Sequence, residues 1–346
     1  MKGEPSFRLE KRTESAVNAL ASQACGMRYG TLPDPVRDRL QLVLTDLFGV
    51  TVAGMRTPEL HSLLGSWVCP PGEVALPGTM MRTVPETASY LSAVAACCLE
   101  LDEGNKYAAG HPAAHVVFAA IAAAQMSATP PTGPEFLTAV AAGYEVAARF
   151  GAALRRKASW HTHGHWGATG AACAAALVLG ASAAQVAAAI DSATGLMHVT
   201  PWATVISGDF TRNLWMAGAN IAGLTAARLA IAGLTRNTGG AQHSLGTIVG
   251  ALDPDVLVED LGSRWLTTQG YIKRHASCSY THSAVDLVQS IRAQRDWRAD
   301  DVAHVRVATH SLSRALLGRD TSSRLAAMFS LPFVVSTAVV NGSVDP

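Results

Sequence analysis

Alanine in runs of helical period is the feature that most narrows the folds open to this chain. In AAIAAAQ, ATGAACAAALVLGAS and SAAQVAAAI a side chain of the highest helix propensity repeats. Being small, it also lets helix axes approach closely. Apolar residues spaced for a 3.6-residue turn predict helices over Ser15–Met27, Pro35–Ala53, Glu86–Leu99, Pro112–Gln125, Pro134–Arg155, Trp166–Leu179, Ala183–Thr194 and Asn213–Ala232. Each run is followed by Gly, Pro or polar residues where a helix would stop. Short linkers separate them, so residues 1–250 are expected to form one all-helical domain.

From about Thr235 the texture changes. TRNTGGAQHSLG is polar and glycine-rich, and after it come the strand-like GYIKRHAS, a helical run Tyr280–Arg295 and the alternating VAHVRVATH. That order reads strand, helix, strand. A last helical run, Leu325–Val340, precedes NGSVDP. The expected fold is therefore mainly α, a large all-helical domain over 1–250 with a smaller α/β domain over 251–346.

Charged residues are only 15% of the 346 residues while apolar ones are 49%, against a usual charged share of about 25%. So little charge fits a chain that hides surface in a large core or against a partner subunit. The formal net charge is +1 and the basic residues are dispersed, which gives nucleic acid nothing to hold. The cluster Arg155-Arg156-Lys157 reads as a helix C-terminus, where positive charge is favourable. The start, MKGEPSFRLEKRTES, has no apolar core of a signal peptide, and no uninterrupted apolar run is of membrane length. A cytoplasmic protein with no membrane contact is expected. Six cysteines without a CxxC pair read as reduced and partly buried.

Three clusters carry the residue types of chemistry. In LELDEGNKYAAGHPAAH the acidic Glu100, Asp102 and Glu103 precede His111, and Pro112 places that histidine at a helix N-terminus. The helix charge there lowers an imidazole pKa and attracts a carboxylate; His115 lies one turn on. The plain alternative is a solvated acidic face with a polar cap. In WHTHGHWG, His161, His163 and His165 alternate, and on an extended backbone they would point the same way. A metal site, a proton-transfer or carboxylate site, and structural histidines all remain open for this stretch. In YIKRHASCSYTHSAVD, Lys273, Arg274 and His275 meet a helix start at Tyr280 to His282, an arrangement suited to an anion or to a solvated basic patch. Cys278 is a possible nucleophile without supporting neighbours.

Carboxylates, histidines and a basic junction together describe proton abstraction beside a carboxylate, with cations holding the substrate's acid groups. No GxGxxG opens a helix and no phosphate-binding loop is present, so neither hydride transfer nor nucleotide chemistry is expected, and no cofactor.

These clusters, in this order, resemble the MmgE/PrpD family of 2-methylcitrate dehydratases, cis-aconitate decarboxylases and iminodisuccinate epimerases. LDEGNKYAAGHPAAHVVFAAIAAA is similar to its acidic segment followed by HPS, WHTHGHWGATG to its HPxGTxG segment, IKRHASCSYTHSAVDLV to KxYPxCxxTH, and AAMFSLPFVVSTAVVNG to FSLPYxVAxALLxG. The likeness covers most of the chain. It departs at Thr162, where the family has proline, and at His165, where it has threonine.

The resemblance implies a homodimer with cofactor-free and metal-free chemistry in a cleft between the domains, acting on a small carboxylate. It assigns His111 and His161 to acid–base catalysis with Asp102 nearby in the acidic segment. Lys273, His282, Arg212 in FTRNLWMAG and His163 become substrate contacts. The reaction expected is a lyase step on a di- or tricarboxylate such as 2-methylcitrate or cis-aconitate, with epimerisation on the same scaffold as the alternative. Family members continue past the FSLP segment, so the smaller domain is expected to be incomplete beyond Pro346, and a truncated relative that only binds is the third reading.

Overall fold

The computed structural model describes residues 4–346. Its helices are α1 (Glu4–Gly26), α2 (Asp34–Gly54), α3 (Pro58–Ser66), α4 (Pro85–Cys98), α5 (Pro112–Met126), α6 (Gly133–Ala153), α7 (Gly167–Val178), α8 (Ala183–Ala193), α9 (Trp202–Ile206) and α10 (Thr211–Ile231). Short helices α11 (Ala241–His243) and α12 (Pro254–Val258) follow, then α13 (Ser279–Gln294), α14 (Arg324–Met328) and α15 (Leu331–Asn341). Strands are few: β1 (Pro71–Ala75), β2 (Arg82–Thr83), β3 (Gly104–Asn105), β4 (Leu154–Arg156), β5 (Gly250–Leu252) and β6 (Gly270–Tyr271). They form antiparallel pairs, β1 with β2, β3 with β6 and β4 with β5.

The mainly α expectation holds, and the helix ends follow the chemistry of their caps. At the start of α6, Thr132 accepts a bond from the Glu135 N–H while the Glu135 carboxylate accepts from the Thr132 N–H; Ser182 and Gln185 repeat this at α8. Helix α7, GATGAACAAALV, is nearly all buried and packs against α5, α6, α8 and α10. It fits at the centre because it is thin. A Cβ on Gly170 would lie 2.2 Å from the Gly143 carbonyl oxygen of α6, and one on Gly223 of α10 would lie 2.3 Å from the Ala171 methyl.

Helix α10 is long and apolar enough to cross a membrane by length and composition alone. Here it is an interior helix, packed against α4, α5, α7 and α8 and carrying the buried polar residues Arg212, Asn213 and Asn220. Asn220 locks it to α5, donating to the Ala114 carbonyl (2.8 Å) and accepting from the Ala119 N–H (2.9 Å). That lock sets the end of α10 bearing Arg212 near the start of α5.

Buried apolar residues form one large cluster running from α1 to Leu266 and a second built from α13 and α15 with Val205, Trp215, Phe329 and Leu331. The two meet on α10, where Trp215 belongs to the second cluster and Met216 and Ala217 to the first.

Four expectations are corrected. VAHVRVATH forms no strand: residues 303–310 are irregular, and Val305 and Val307 are exposed. Alternation becomes a strand only where a neighbour completes the ladder and one face is covered, and among the described residues nothing pairs with this segment. In GYIKRHAS only Gly270 and Tyr271 pair, and their partner is β3 in the helical region. The smaller region thus has no sheet of its own among the described residues. The run expected from Leu325 to Val340 is two helices: Pro332 has no N–H to continue a helix from α14 and sits instead in the first turn of α15, which Ser330 caps by accepting from the Phe333 N–H. Finally, Arg156 belongs to a strand, β4, and not to a helix C-terminus.

Candidate active site

The acidic segment enters the site through a backbone turn. After α4 ends, Glu100 adopts φ +52°, an uncommon left-handed conformation for a residue with a side chain. Asp102 and Glu103 follow, both fully buried. Residues 104 and 105 then pair with β6, and Gly104 is required there, since a Cβ would lie 2.3 Å from the Tyr271 ring. This pairing sets Lys273 beside the acidic residues.

Glu100 stands between two cations. Arg212 forms a buried ion pair with it, and Lys273 Nζ lies 3.1 Å from its Oε2 and 3.0 Å from its carbonyl. Burial alone would raise the Glu100 pKa, but Arg212 and Lys273 outweigh it and hold the carboxyl ionised. Lys273 is likewise opposed by burial and held charged by Glu100 and Asp102. Both cations line the cavity with their charge already matched.

His111 caps α5, as its neighbour Pro112 predicts. Its Nδ1 lies 2.6 Å from the Glu103 carbonyl oxygen and 3.3 Å from Asp102 Oδ2. A carbonyl can only accept, so Nδ1 carries the hydrogen and Nε2 carries the lone pair. The lowered pKa of His111 has burial as its largest cause, with Asp102 pulling the other way. Glu103 also accepts from the Ala113 N–H with its carboxyl, and burial raises the pKa of that carboxyl well above the usual range.

The stretch WHTHGHWG is not extended. Gly164 takes φ +84° and turns the chain, so His165 folds back to donate from Nε2 to the His161 carbonyl at 2.7 Å. The three histidines therefore do not converge. His161 and His163 face the cavity, and His165 is buried behind them. His161 Nδ1 accepts from the His163 N–H at 3.3 Å, which places its own hydrogen on Nε2. Its ring stands edge-on to Trp202 at 4.7 Å. Burial, followed by the nearby Arg212, pushes the pKa values of His161 and His163 far down.

His163 lies edge-on to His111 (4.9 Å), His115 (5.7 Å) and His161 (4.3 Å). His115 does not reach the cavity. Its Nδ1 donates to the His111 carbonyl at 2.7 Å and its Nε2 accepts from the Gly164 N–H at 3.2 Å, tying the two histidine segments together. With those nitrogens occupied, no group of three His, Cys, Asp or Glu side chains among the described residues is placed to hold a metal ion.

A cavity of about 500 Å³ is lined by His111, His161, His163, Arg212, Lys273 and His282, which are six of the seven residues singled out from sequence. The seventh, Asp102, stands behind His111. His282 donates from Nε2 to the Ser277 carbonyl at 3.2 Å, and burial first, then Lys273, lowers its pKa to about 4. Cys278 also lines the cavity, but burial pushes its thiol up to about 11, so it is a poor nucleophile. Sequence reasoning gave no place in the site to Arg156, which it read as a helix end, to Tyr280, which it read only as a helix start, or to Tyr271 and Trp202, all of which line the same space.

The order of these segments matches known proteins. Residues 18–247 match the MmgE/PrpD N-terminal domain, and residues 275–346 match the MmgE/PrpD C-terminal domain. The chain belongs to the MmgE/PrpD family. Among curated MmgE/PrpD-like relatives, it is 26% identical over 321 residues to a cis-aconitate decarboxylase-like protein of Aspergillus oryzae, with 85% of this chain and 65% of that protein covered. It is 22% identical over 358 residues to a cis-aconitate decarboxylase of Aspergillus terreus, covering 94% of this chain and 73% of that one. The chain thus spans just under two thirds of the length of the first of these MmgE/PrpD-like relatives.

Proposed function

We propose that the chain is a cofactor-independent lyase acting on a small di- or tricarboxylate, of the kind represented by 2-methylcitrate or cis-aconitate. One observation carries this reading: two neutral imidazoles face one cavity in opposite tautomers, His111 offering a lone pair at Nε2 and His161 offering an N–H at Nε2. A lone pair suits removal of a proton α to a carboxylate. An N–H suits the oxygen on which charge then develops.

In the dehydratase form, His111 Nε2 takes the α-proton, the C–H electron pair moves into the carboxylate-stabilised enolate, and the β-hydroxyl leaves with a proton returned by an acid of the cavity. In the decarboxylase form the carbon–carbon bond breaks, carbon dioxide leaves, and the carbanion takes its proton from protonated His111. Returning the proton to the other face would give the epimerase alternative. The working unit in this reading is a cytoplasmic homodimer, in keeping with the small share of charged residues.

Proton NMR in D₂O with citrate, 2-methylcitrate, cis-aconitate and an aspartate-derived diacid tests the proposal. New vinyl signals or solvent deuterium in the product are expected, and His111→Ala lowers the rate by roughly 10²–10⁴-fold with the far-UV circular dichroism unchanged. Folded protein that leaves every one of these acids untouched would refute it.

A further inference from the structure

Four cations line the cavity, and they are not equivalent: Lys106 is exposed to solvent, whereas Arg156, Arg212 and Lys273 are at least half-buried. Arg212 and Lys273 are each in contact with Glu100, and Lys273 is also 3.8 Å from Asp102. Arg156 lines the same cavity and makes one neutral hydrogen bond, to the Trp160 carbonyl at 3.3 Å. Burial lowers its pKa, with the Tyr280 hydroxyl, which also lines the cavity, acting the other way, and among the described residues it forms no ion pair. Its guanidinium offers five N–H donors in a planar fork, so most of its hydrogen-bonding capacity faces the cavity unmatched. Leaving a half-buried guanidinium in that condition is unfavourable, and a carboxylate met bidentately is the group that best relieves it.

The placement of Arg156 is built into the fold. Strand β4 pairs with β5 so that Arg156 faces Gly250, where a Cβ would lie 2.1 Å from the Arg155 carbonyl oxygen and 2.6 Å from Arg156 Cα. Only glycine permits that approach. The next residue, Lys157, is tied off elsewhere, donating from Nζ to the carbonyls of Thr247 (3.1 Å) and Ile248 (2.8 Å). Of the basic cluster, Arg155 is exposed and Arg156 alone turns to the cavity. Its charge is felt at His161, where it disfavours the imidazolium.

We propose that Arg156 is the substrate-anchoring cation of this cavity, binding a carboxylate of the substrate other than the one at the reacting carbon, so that the enzyme requires at least two carboxylates. Lys273 and Arg212, which the sequence suggests for that task, instead hold Glu100 and set the field around the histidines. This inference rests on the lyase reading for the word substrate, but binding tests it independently of turnover.

Titration calorimetry of the full chain with tricarballylate, an unreactive tricarboxylate, and with butyrate, a monoacid, is the experiment, using wild type, Arg156→Gln, Arg156→Lys and Arg155→Gln. Arg156→Gln is expected to weaken tricarballylate roughly 10- to 100-fold, Arg156→Lys to recover part of that loss as a point charge without the fork, and Arg155→Gln to change nothing. Butyrate affinity should be the same in all four. Unchanged tricarballylate affinity in Arg156→Gln, an equal loss for both acids, or no polycarboxylate binding by wild type would overturn the assignment. Selective loss with no turnover of any acid by wild type would leave the anchor standing and remove the lyase reading. Turnover with an unaltered KM in Arg156→Gln would do the reverse.

Discussion

Asp102 reaches the chemistry through His111 and, at 3.8 Å, through Lys273. Its Oδ2 lies 3.3 Å from His111 Nδ1 while that nitrogen donates to the Glu103 carbonyl, so the tautomer is fixed by the backbone and the carboxyl acts by its charge. Asp102 raises the His111 pKa against burial, Lys273 and Arg212. Asp102→Asn is therefore expected to move the acid limb of kcat/KM to lower pH and to lower kcat, since a less basic imidazole is a weaker proton acceptor. A pH profile of the variant checks this, and an unmoved limb would reduce Asp102 to packing. His111, Lys273 and His282 were legible because each sits at a junction where Pro, a basic residue or a helix start gives a local signal. Arg156 reads in sequence as part of a helix C-terminus, and only its pairing across β4 and β5 reveals its direction. The tyrosines and Trp202 have no spacing that separates a cavity wall from core. His165 was misplaced because alternation aligns side chains only on an extended chain, which Gly164 prevents.

The helices were legible for the same reason that they are stable: their period is local, and their small residues state how near a neighbour must come. Gly170→Ala puts a methyl 2.2 Å from the Gly143 carbonyl oxygen, where backbone and not a flexible side chain must give way. It is expected to destabilise the protein by about 1–3 kcal/mol. Gly49, exposed inside α2 with nothing near its missing Cβ, is the opposite case, and Gly49→Ala should stabilise by about 0.5–1 kcal/mol. Urea denaturation of the two variants decides both; an undiminished midpoint in Gly170→Ala would mean that helix spacing does not depend on Gly170, and a lowered midpoint in Gly49→Ala would sink the second expectation. The strands escaped the sequence because β3 with β6 and β4 with β5 match two or three residues across long separations. Such short pairs carry no period, and VAHVRVATH shows the converse, a period without a partner.

At the scale of the molecule, the same burial that tunes the site makes folding depend on pH. His111, His115, His161, His163 and His165 are buried with lowered pKa values, His115 to about 3 and His165 to about 4, burial being the first cause in each. Below pH 6.5 the unfolded chain therefore takes up protons that the folded chain refuses, and stability falls as pH falls. Two carboxyls oppose this. Burial raises Glu103 well above its usual value and Asp46 to about 6, so between their unfolded and folded values these groups favour the folded state as pH falls. His282, lowered to about 4, and His198 add to these five imidazoles, so they outnumber the two carboxyls and unfolding takes up several protons, each worth about 1.4 kcal/mol per pH unit. Against a total stability of about 5–15 kcal/mol, that slope unfolds the protein within a few units below pH 6.5. Urea midpoints at pH 7.5, 6.5 and 5.5 are expected to fall steeply only over the lower interval; equal midpoints would show that the imidazoles are not held neutral. The two acid effects separate by their readouts: in the dehydratase form, protonating His111 silences turnover while circular dichroism still reports the native fold, whereas global proton uptake removes both together.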